Sequence, residues 1–278
     1  GASEAEVFTA VGLPWIPPEL REDRGEIEAA AAGGLPDLIE LDALRGDLHC
    51  HTDATDGADS LEAMAEAARE RGYAYLAITD HSRRVAMARG LTPERLRDQI
   101  AAIDALNEEL EGITLLKGCE VDILEDGSLD LPDDVLAELD LTVCSVHYNL
   151  DLSREKQTER IIRAMDNPEF NILGHPTGRL LNERNPYEVD MERLVEAAGE
   201  RGCILEVNAQ PHRLDLRDVD CRMARDRGVP LAIATDAHNA DNLSLIRFGV
   251  DTARRGWVRP DDVVNTRNLA GLREALER

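Results

Sequence analysis

The sequence is poor in aromatic and basic residues and lacks a long apolar segment. Among 278 residues there are three Phe, four Tyr and two Trp, so few side chains can stack on nucleic-acid bases. Asp and Glu number 56 against 31 Lys and Arg, a formal net charge of −25, which disfavours tight binding of a phosphate backbone by this chain alone. No apolar run approaches the roughly 20 residues of a membrane span, so we expect no membrane association.

Cysteine is also sparse. The five Cys residues are scattered and form no Cys-x-x-Cys pair. Four of them fall in expected strands, namely Cys50, Cys119, Cys144 and Cys203. We therefore expect buried, reduced thiols and a cytoplasmic protein. The polar, acidic start of the sequence does not resemble a signal peptide.

The first 45 residues differ in composition from the rest. The stretch LPWIPPELRED is rich in Pro and carries Trp15, and the short helical pattern after it is broken by Gly33, Gly34 and Pro36. We interpret residues 1–45 as a linker, or the tail of a preceding domain, that docks on the main domain. Residues 46–278 would form that main domain.

From Gly46 onward, short apolar segments alternate with helical patterns. Seven segments rich in Val, Ile and Leu predict buried strands at 46–51, 75–80, 114–123, 141–147, 171–175, 203–208 and 230–236. Helices are predicted at 60–71, 92–111, 133–139, 153–166, 189–201, 216–227, 243–255 and 260–265. This alternation predicts an α/β fold with a parallel sheet. An open doubly wound sheet and a closed or distorted barrel both fit the pattern.

The stretch GDLHCHTDATDG, which starts at Gly46, carries the first candidate ligands. Asp47, His49 and His51 alternate along the expected strand, so their side chains point to one face. Two imidazoles at this spacing can converge on one metal ion. Asp56 follows in a Gly-containing turn and offers an oxygen ligand nearby.

His and acidic residues recur at the ends of the later strands. A lone His at a strand end is more often structural, but six strand ends bearing His, Glu or Asp favour a metal site. Only the sixth strand lacks a strong ligand and ends at Asn208. The nine candidate ligands are His49, His51, Asp56, His81, Glu120, His147, His175, Asp236 and His238.

This donor set consists of imidazoles and carboxylates without a Cys ligand. Such a set suits Mn²⁺, Zn²⁺ or Fe²⁺. Nine ligands exceed the four to six that one ion needs, so two or three clustered ions are expected, with Glu120 as a natural bridge. Clustered divalent ions favour phosphoryl chemistry because they activate water and stabilise the attacking and leaving oxygens.

The motifs DLHCHT, ITDHS, GCEVD, SVH, GHP and TDAH occur in this order over residues 46–238, and together they resemble the polymerase and histidinol phosphatase (PHP) family. The resemblance implies a distorted (β/α)7 barrel with a trinuclear metal centre at the carboxyl ends of the strands. It assigns His49, His51, Glu120 and Asp236 to a first ion. It assigns Glu120, His147 and His175 to a second ion, and Asp56, His81 and His238 to a third.

Other segments resemble the C-terminal region of bacterial family X DNA polymerases, notably GLPWIPPELREDRGEIEAA, HPTGRLL, NAQPHRLDLRD and FGVDTARRGWVRPDDVVNT. This resemblance implies a Mn²⁺-dependent 3′–5′ exonuclease that acts on DNA ends in repair. DNA would be delivered by a polymerase module, of which residues 1–45 would be the tail. We expect a monomer. The alternatives are a small-molecule phosphomonoesterase, such as a histidinol-phosphate phosphatase, and a non-catalytic structural domain.

Several further residues are candidates for contacts with substrate or ligands. Substrate contacts are predicted for Arg83, Arg84, Arg179 and Asn208. His81 and His238 are the candidates for proton transfer, whereas Asp47 and Asp80 are expected to orient ligands. His212 lies off the strand-end pattern and is predicted to be structural or exposed.

Overall fold

The computed structural model describes residues 2–277, in which seven strands pair in parallel and in chain order. They are β1 (Gly46–Asp47), β2 (Tyr75–Ile78), β3 (Thr114–Asp122), β4 (Leu141–Ser145), β5 (Ile172–Leu173), β6 (Ile204–Asn208) and β7 (Leu231–Ala234). Contacts between the regions of β1 and β7 nearly close the sheet into a barrel: the amide of His51 donates to the carbonyl of Ala237 across 2.8 Å. The barrel prediction is confirmed, and the open sheet is wrong.

Ten α-helices accompany the strands within residues 2–277. They are α1 (Glu4–Ala10), α2 (Glu26–Ala31), α3 (Leu61–Glu70), α4 (Pro93–Glu109), α5 (Asp133–Leu136), α6 (Arg154–Ala164), α7 (Met191–Arg201), α8 (Asp218–Asp226), α9 (Ile246–Arg255) and α10 (Leu269–Leu276). Helices α3 to α8 each connect two successive strands. The hydroxyls of Ser60, Thr92 and Ser153 accept hydrogen bonds from backbone amides in the first turns of α3, α4 and α6. These caps fix where the helices begin.

Several strands end before the predicted boundary. Strand β1 stops at Asp47 and β5 at Leu173, although 46–51 and 171–175 were predicted to be strands. The backbone of His175 has φ 25° and that of Asp236 has φ 51°, and these left-handed conformations turn the chain away from the strand direction. Eight of the nine predicted ligands therefore lie beyond the paired strands, whereas Glu120 lies within β3.

The C-terminal region corrects one prediction and adds one helix. The helix predicted at 260–265 is two 3₁₀ turns, Pro260–Asp262 and Val264–Thr266, because the backbone of Val263 between them is extended, with φ −115° and ψ 121°. Helix α10 was not predicted. Its Leu272 and Leu276 pack against apolar residues of several barrel strands, including Tyr75 of β2.

The N-terminal segment contacts α9 and the residues that follow it; its interpretation as a linker or the tail of a preceding domain stays a prediction. Ile16, Leu20 and Leu38 form an apolar cluster with Trp257, which follows α9. The side chain of Arg254 adds an ion pair with Glu19 at 2.8 Å. Gly1 and Arg278, the outermost residues of the two predicted domains, lie outside the described residues.

All five cysteine side chains are buried: the four that fall in expected strands, and Cys221 on α8. Burial raises the pKa of the Cys50, Cys119 and Cys221 thiols well above the usual value, so these thiols are poor nucleophiles. Between residues 2 and 277, none of the helices is both long and apolar enough to cross a bilayer.

Candidate metal centre

The nine predicted ligands converge at the carboxyl ends of the strands. Seven of them line one cavity of about 430 Å³, namely Asp56, His81, Glu120, His147, His175, Asp236 and His238. The other two, His49 and His51, are fully buried and contact members of this set. The barrel topology explains the convergence, since parallel strands bring their carboxyl ends to one mouth.

Glu120, near the end of β3, is central to the cluster. Its side chain is 1% exposed. Oε1 lies 2.8 Å from Nε2 of His175, and Oε2 lies 2.8 Å from Nδ1 of His81. In all, its two oxygens lie within 3.6 Å of ring nitrogens of His49, His51, His81, His147 and His175. A carboxylate in this position can bridge ions.

One group of donors lies deepest in the barrel. The Nε2 atoms of His49 and His51 are 3.3 Å apart, and Oδ1 of Asp236 lies 3.1 Å from the latter. Each of these residues offers one atom within 4.8 Å of the others. These are three of the four ligands predicted for the first ion.

A second group lies towards the outer part of the mouth. Oδ2 of Asp56 lies 3.4 Å from Nε2 of His81 and 3.6 Å from Nε2 of His238. These are the three ligands predicted for the third ion. His51 also falls within the same group, so its imidazole borders two of the groups.

The third group contains His81, Glu120 and His147. Nε2 of His147 lies 3.3 Å from Oε1 of Glu120, the oxygen that also faces His175. The predicted second ion was assigned His175 rather than His81. Both imidazoles contact the Glu120 carboxylate, and the assignment of ligands to individual ions stays a prediction.

The donor atoms fit a group of divalent cations. Within residues 2–277, Nδ1 of His51 is buried and has no hydrogen-bond partner, and Oε2 of Glu120 makes no well-aligned hydrogen bond although it lies 2.8 Å from Nδ1 of His81. Buried polar atoms are rarely left unsatisfied, so such atoms in a polar cavity indicate a missing partner. The imidazole and carboxylate set, without Cys, suits Mn²⁺, Zn²⁺ or Fe²⁺.

The charges within the cluster are strongly coupled. Burial opposes protonation of His49, but the carboxylates of Glu206, Asp236 and Glu120 outweigh it and hold the His49 pKa well above its usual value. Burial likewise opposes protonation of His81, yet the carboxylates of Glu120 and Asp56 raise its pKa to about 10. Imidazolium groups thus compensate the buried carboxylates, a role that bound cations can take over.

Not every imidazole is favoured in its charged form. Burial and the positive charge of His81 lower the pKa of His51 to about 4. Burial and the guanidinium of Arg213 likewise lower the pKa of His175. These two imidazoles are therefore neutral near pH 7, the form that coordinates metals.

Two buried carboxylates that the sequence interpretation did not select support the ligands. Oε1 of Glu206, in β6, lies 2.6 Å from Nδ1 of His49, and its Oε2 accepts the backbone amide of His175 across 2.5 Å. Oδ1 of Asp122 lies 3.0 Å from Nδ1 of His147. The sixth strand therefore contributes an orienting group rather than a predicted ligand. Strand alternation, which puts 206 and 208 on one face, was the available signal.

The two aspartates expected to orient ligands connect loops of the mouth. Asp47 accepts the amide and hydroxyl of Thr235 and the amide of His49, so it links β1 to β7 next to a ligand. Asp80 accepts the amide and hydroxyl of Thr52 and thereby fixes the loop that leads to Asp56.

The four predicted substrate contacts differ in position. Asn208 is buried, and its amide donates to Glu206 and, across 3.1 Å, to Asp236; in the structure it orients ligands. Arg179 donates to the backbone carbonyls of Arg213 and Leu214, so its guanidinium positions that loop.

The predicted arginine pair lies at the mouth. The side chain of Arg83 is 53% exposed and lies 3.4 Å from Asp130, which leaves it accessible at the mouth. The guanidinium of Arg84 lies over the ring of Tyr148, 5.1 Å from the centroid. Contacts of these four residues with substrate stay predictions.

Arg213, in the loop after β6, is a functional candidate that the sequence interpretation missed. It lines the cavity, and its Nε lies 3.3 Å from Oδ2 of Asp236. In the described part of the chain, no group hydrogen-bonds its buried Nη1. A guanidinium that is held beside the ligands and has a free donor is suited to a phosphate oxygen. His212, next to it, is exposed, as predicted.

Comparisons with known proteins identify relatives of this chain. The family model described as PHP domain matches residues 47–210. The DNA polymerase/3′-5′ exonuclease PolX of Bacillus subtilis is 45% identical over 276 residues, which cover 99% of this chain and 48% of that protein. The chain thus spans about half the length of this relative.

Other relatives are described as phosphatases. A probable phosphatase of Caldanaerobacter subterraneus is 31% identical over 204 residues, which cover 69% of this chain and 75% of that protein. One from Thermoanaerobacter sp. is 29% identical over 242 residues, 83% of this chain and 94% of that protein.

A solved structure shares the fold. The crystal structure of histidinol phosphate phosphatase from Lactococcus lactis, in complex with Zn, L-histidinol and phosphate, has a TM-score of 0.52 and is 16% identical. The match covers 75% of this chain and 93% of that one. Together with the barrel, the motifs and the matching family model, the relatives show that this chain belongs to the PHP-domain family.

Proposed function

We propose that the chain is a metal-dependent phosphoesterase that removes nucleotides from the 3′ ends of DNA. The observation that carries the proposal is the convergence of three overlapping ligand groups on Glu120, next to the unpartnered Nη1 of Arg213. The first feature supports clustered cations and the second supports a phosphate ligand. The name of the Bacillus subtilis relative, a DNA polymerase/3′-5′ exonuclease, supports DNA ends as the substrate.

We propose two or three divalent ions as cofactors, with Mn²⁺ as the functional metal and Zn²⁺ or Fe²⁺ as alternatives. When bound, such ions lower the pKa of water and stabilise charge on the attacking and leaving oxygens. The residues that would hold them are the nine ligands, with Glu120, whose oxygens lie within 3.6 Å of ring nitrogens from all three groups, as the proposed bridge. Glu206 and Asp122 would keep the rings of His49 and His147 in orientation.

The cavity residues have separate roles in this proposal. The guanidinium of Arg213 binds a non-bridging phosphate oxygen through Nη1 and, because it is preorganised by Asp236, needs little ordering. His238 has 37% of its side chain exposed, and its Nδ1 faces the carbonyl of Asp236 across 2.9 Å. With two ions bound by the other ligand groups, its other ring nitrogen, Nε2, would stay free of metal, and we place proton transfer to the leaving oxygen at that atom, with His81 as the alternative.

DNA is the proposed partner, and this acidic chain needs additional affinity to bind it. A net charge of −25 repels the duplex, and Arg83 at the rim is one accessible cation near the mouth. We propose that a polymerase module, as in the name of the Bacillus subtilis relative, supplies the remaining affinity. The isolated chain would then digest DNA slowly and with strong sensitivity to salt.

The test is digestion of a 3′-recessed duplex, labelled at its 5′ end, by the Mn²⁺-loaded chain at low salt. We expect stepwise shortening from the 3′ end, a loss of at least about 100-fold in rate in His147→Ala, and no effect of His212→Ala, a matched histidine outside the ligand set.

Other outcomes would support other functions. Hydrolysis of histidinol phosphate with intact DNA would favour the small-molecule phosphomonoesterase. If neither substrate were cleaved and His147→Ala changed only stability, the domain would be structural.

A further inference from the structure

The cavity that contains the ligands is also lined by apolar side chains, of which three are larger than alanine. Val85, Met87 and Tyr148 line it together with His81, His147 and Arg213; we call these three the apolar rim. Met87 is 95% exposed. Isolated exposed apolar residues are ordinary, but this one lies beside two further apolar side chains at the entrance to a polar site.

The turn that carries Met87 is held in place. The amide of Leu91 donates to the carbonyl of His81 across 2.7 Å, and that of Gly90 donates to Val85 across 3.2 Å. A Cβ on Gly90 would lie 2.0 Å from the carbonyl oxygen of Ser82, so only glycine allows this close approach. These contacts fix the turn that carries Met87, and one of them is made to the backbone of the candidate ligand His81.

Tyr148 follows the candidate ligand His147 and is supported separately. The guanidinium of Arg84 lies 5.1 Å from the centroid of its ring. The backbone carbonyl of Tyr148 accepts Nη1 of Arg160 across 2.9 Å, and Arg160 is buried under the same loop. A planar ring and a polarisable thioether thus border the same entrance, next to the cations' ligands.

The phosphate-binding groups beside the apolar rim limit which kind of ligand can occupy the rim. A phosphoryl group bound by the ligands and Arg213 brings the group attached to it to the entrance. Aromatic rings and thioethers form favourable contacts with flat π-systems, and stacking on aromatic side chains is how proteins hold bases without reading their sequence. A nucleobase is the part of a nucleotide with this chemistry.

We infer that the apolar rim holds the nucleobase of the terminal nucleotide, so that Met87 and Tyr148 make the site prefer nucleotides over phosphoesters that lack a base. This inference rests on the proposed function, and it specifies which part of the substrate is recognised. It predicts tolerance of all four bases, because a stacking contact does not depend on base edges.

The experiment compares two duplexes that differ only at the 3′-terminal residue: one carries a base, the other a tetrahydrofuran residue without one. Single-turnover cleavage is measured with Mn²⁺ for the wild type, Met87→Ala and Tyr148→Ala. We expect each variant to cleave the base-bearing end about tenfold more slowly and the abasic end at the wild-type rate. Met87→Leu and Tyr148→Phe should restore most of the preference.

Ile27→Ala is the matched control, because Ile27 is an exposed apolar residue of the N-terminal segment. It should change neither rate. A second measurement is product inhibition, in which deoxynucleoside 5′-monophosphates should inhibit the wild type more than deoxyribose 5-phosphate does. This difference should disappear in Met87→Ala.

The results separate the two proposals. Equal losses on both ends would indicate a structural role for the rim, and unchanged rates would indicate none; either result overturns the inference and leaves the exonuclease function standing. A wild type that cleaves neither duplex would overturn both.

Discussion

Nδ1 of His49 lies 2.6 Å from Oε1 of Glu206, and both side chains are almost completely buried. A carboxylate accepts hydrogen bonds, so Nδ1 keeps its proton, and Nε2, which faces His51 and Glu120, is the nitrogen that would lose its proton when a cation binds. The contact therefore selects the tautomer in which the inward nitrogen can bind a metal. It also joins a residue that follows β1 to one in β6, the strand that pairs with β7.

The first prediction is that Glu206→Gln weakens metal binding about 10- to 100-fold, the usual range for a residue that orients a ligand. The glutamine retains the shape but loses the negative charge that favours the Nδ1 proton. Metal affinity is measured by equilibrium dialysis with competing chelators, and activity is recovered when the metal concentration is raised.

Glu196→Gln, an exposed substitution on α7, is the control and should bind metal like the wild type. If Glu206→Gln kept the wild-type affinity, the carboxylate would serve the backbone of His175 alone.

The second prediction concerns Arg213. Arg213→Ala should raise KM for a phosphodiester about 10- to 100-fold, because a hydrogen bond to a charged group contributes about 1.5–3 kcal/mol. Metal content should stay normal, because none of the ligand groups includes Arg213. Steady-state kinetics and metal analysis on the same preparation provide the measurement.

Arg247→Ala, an exposed arginine on α9, is the comparison variant and should leave KM unchanged. A loss of bound metal in Arg213→Ala would mean that the guanidinium acts through Asp236, which it contacts at 3.3 Å, rather than on the substrate.

The sequence was sufficient to predict the parallel strands and the candidate ligands at their ends because both follow from local patterns, whereas the closed barrel followed from the family resemblance. Apolar segments separated by capped helices predict parallel strands, and the carboxyl ends of such strands meet by topology. His147 and His175 could thus be brought together although no local pattern relates them. Their allocation to individual ions depended on the family resemblance instead.

What the sequence did not reveal depends on loop conformation. Arg179 and Arg213 look equivalent in sequence, yet the first donates to backbone carbonyls of the second's loop while the second lines the cavity. Glu206 is a single acidic residue within an apolar strand, and its role is recognised only from its contact with Nδ1 of His49 in the fold. Such roles arise from long-range geometry that periodicity does not encode.

The third prediction is that removal of metal lowers the thermal unfolding midpoint by about 10 °C. A ligand at 1,000 times its Kd stabilises the folded state by about 4 kcal/mol, and each kcal/mol is worth about 2–4 °C in a protein of this size. Calorimetry of the Mn²⁺-loaded and chelator-treated protein measures the shift.

In Glu120→Gln, removal of metal should lower the unfolding midpoint much less, because this substitution removes the carboxylate that contacts five imidazoles and thereby weakens metal binding. An unchanged midpoint for the wild type after verified metal loss would show that the centre does not stabilise the fold.

A buried carboxylate outside the metal centre offers a test of pH dependence. Asp215 is fully buried, and its Oδ2 accepts the amide and hydroxyl of Thr177 across 2.9 and 3.0 Å. Nothing else in the described chain hydrogen-bonds its Oδ1. Burial raises its pKa to about 6, against 3.8 in the unfolded chain, despite the hydrogen bonds from Thr177.

The fourth prediction follows from the sign of this shift. Between the two pKa values the folded state holds a proton that the unfolded state has lost, so the contribution of Asp215 to the free energy of unfolding falls as the pH rises. The total loss is about 3 kcal/mol, of which about 1 kcal/mol falls between pH 5 and pH 7.

Asp215→Asn retains an oxygen for Thr177 and cannot ionise. Urea unfolding of the Mn²⁺-loaded proteins should therefore show the variant gaining about 1 kcal/mol on the wild type from pH 5 to pH 7, whereas Asp251→Asn, an exposed substitution on α9, should gain nothing. A constant difference between Asp215→Asn and the wild type would mean that Asp215 is ionised throughout this range.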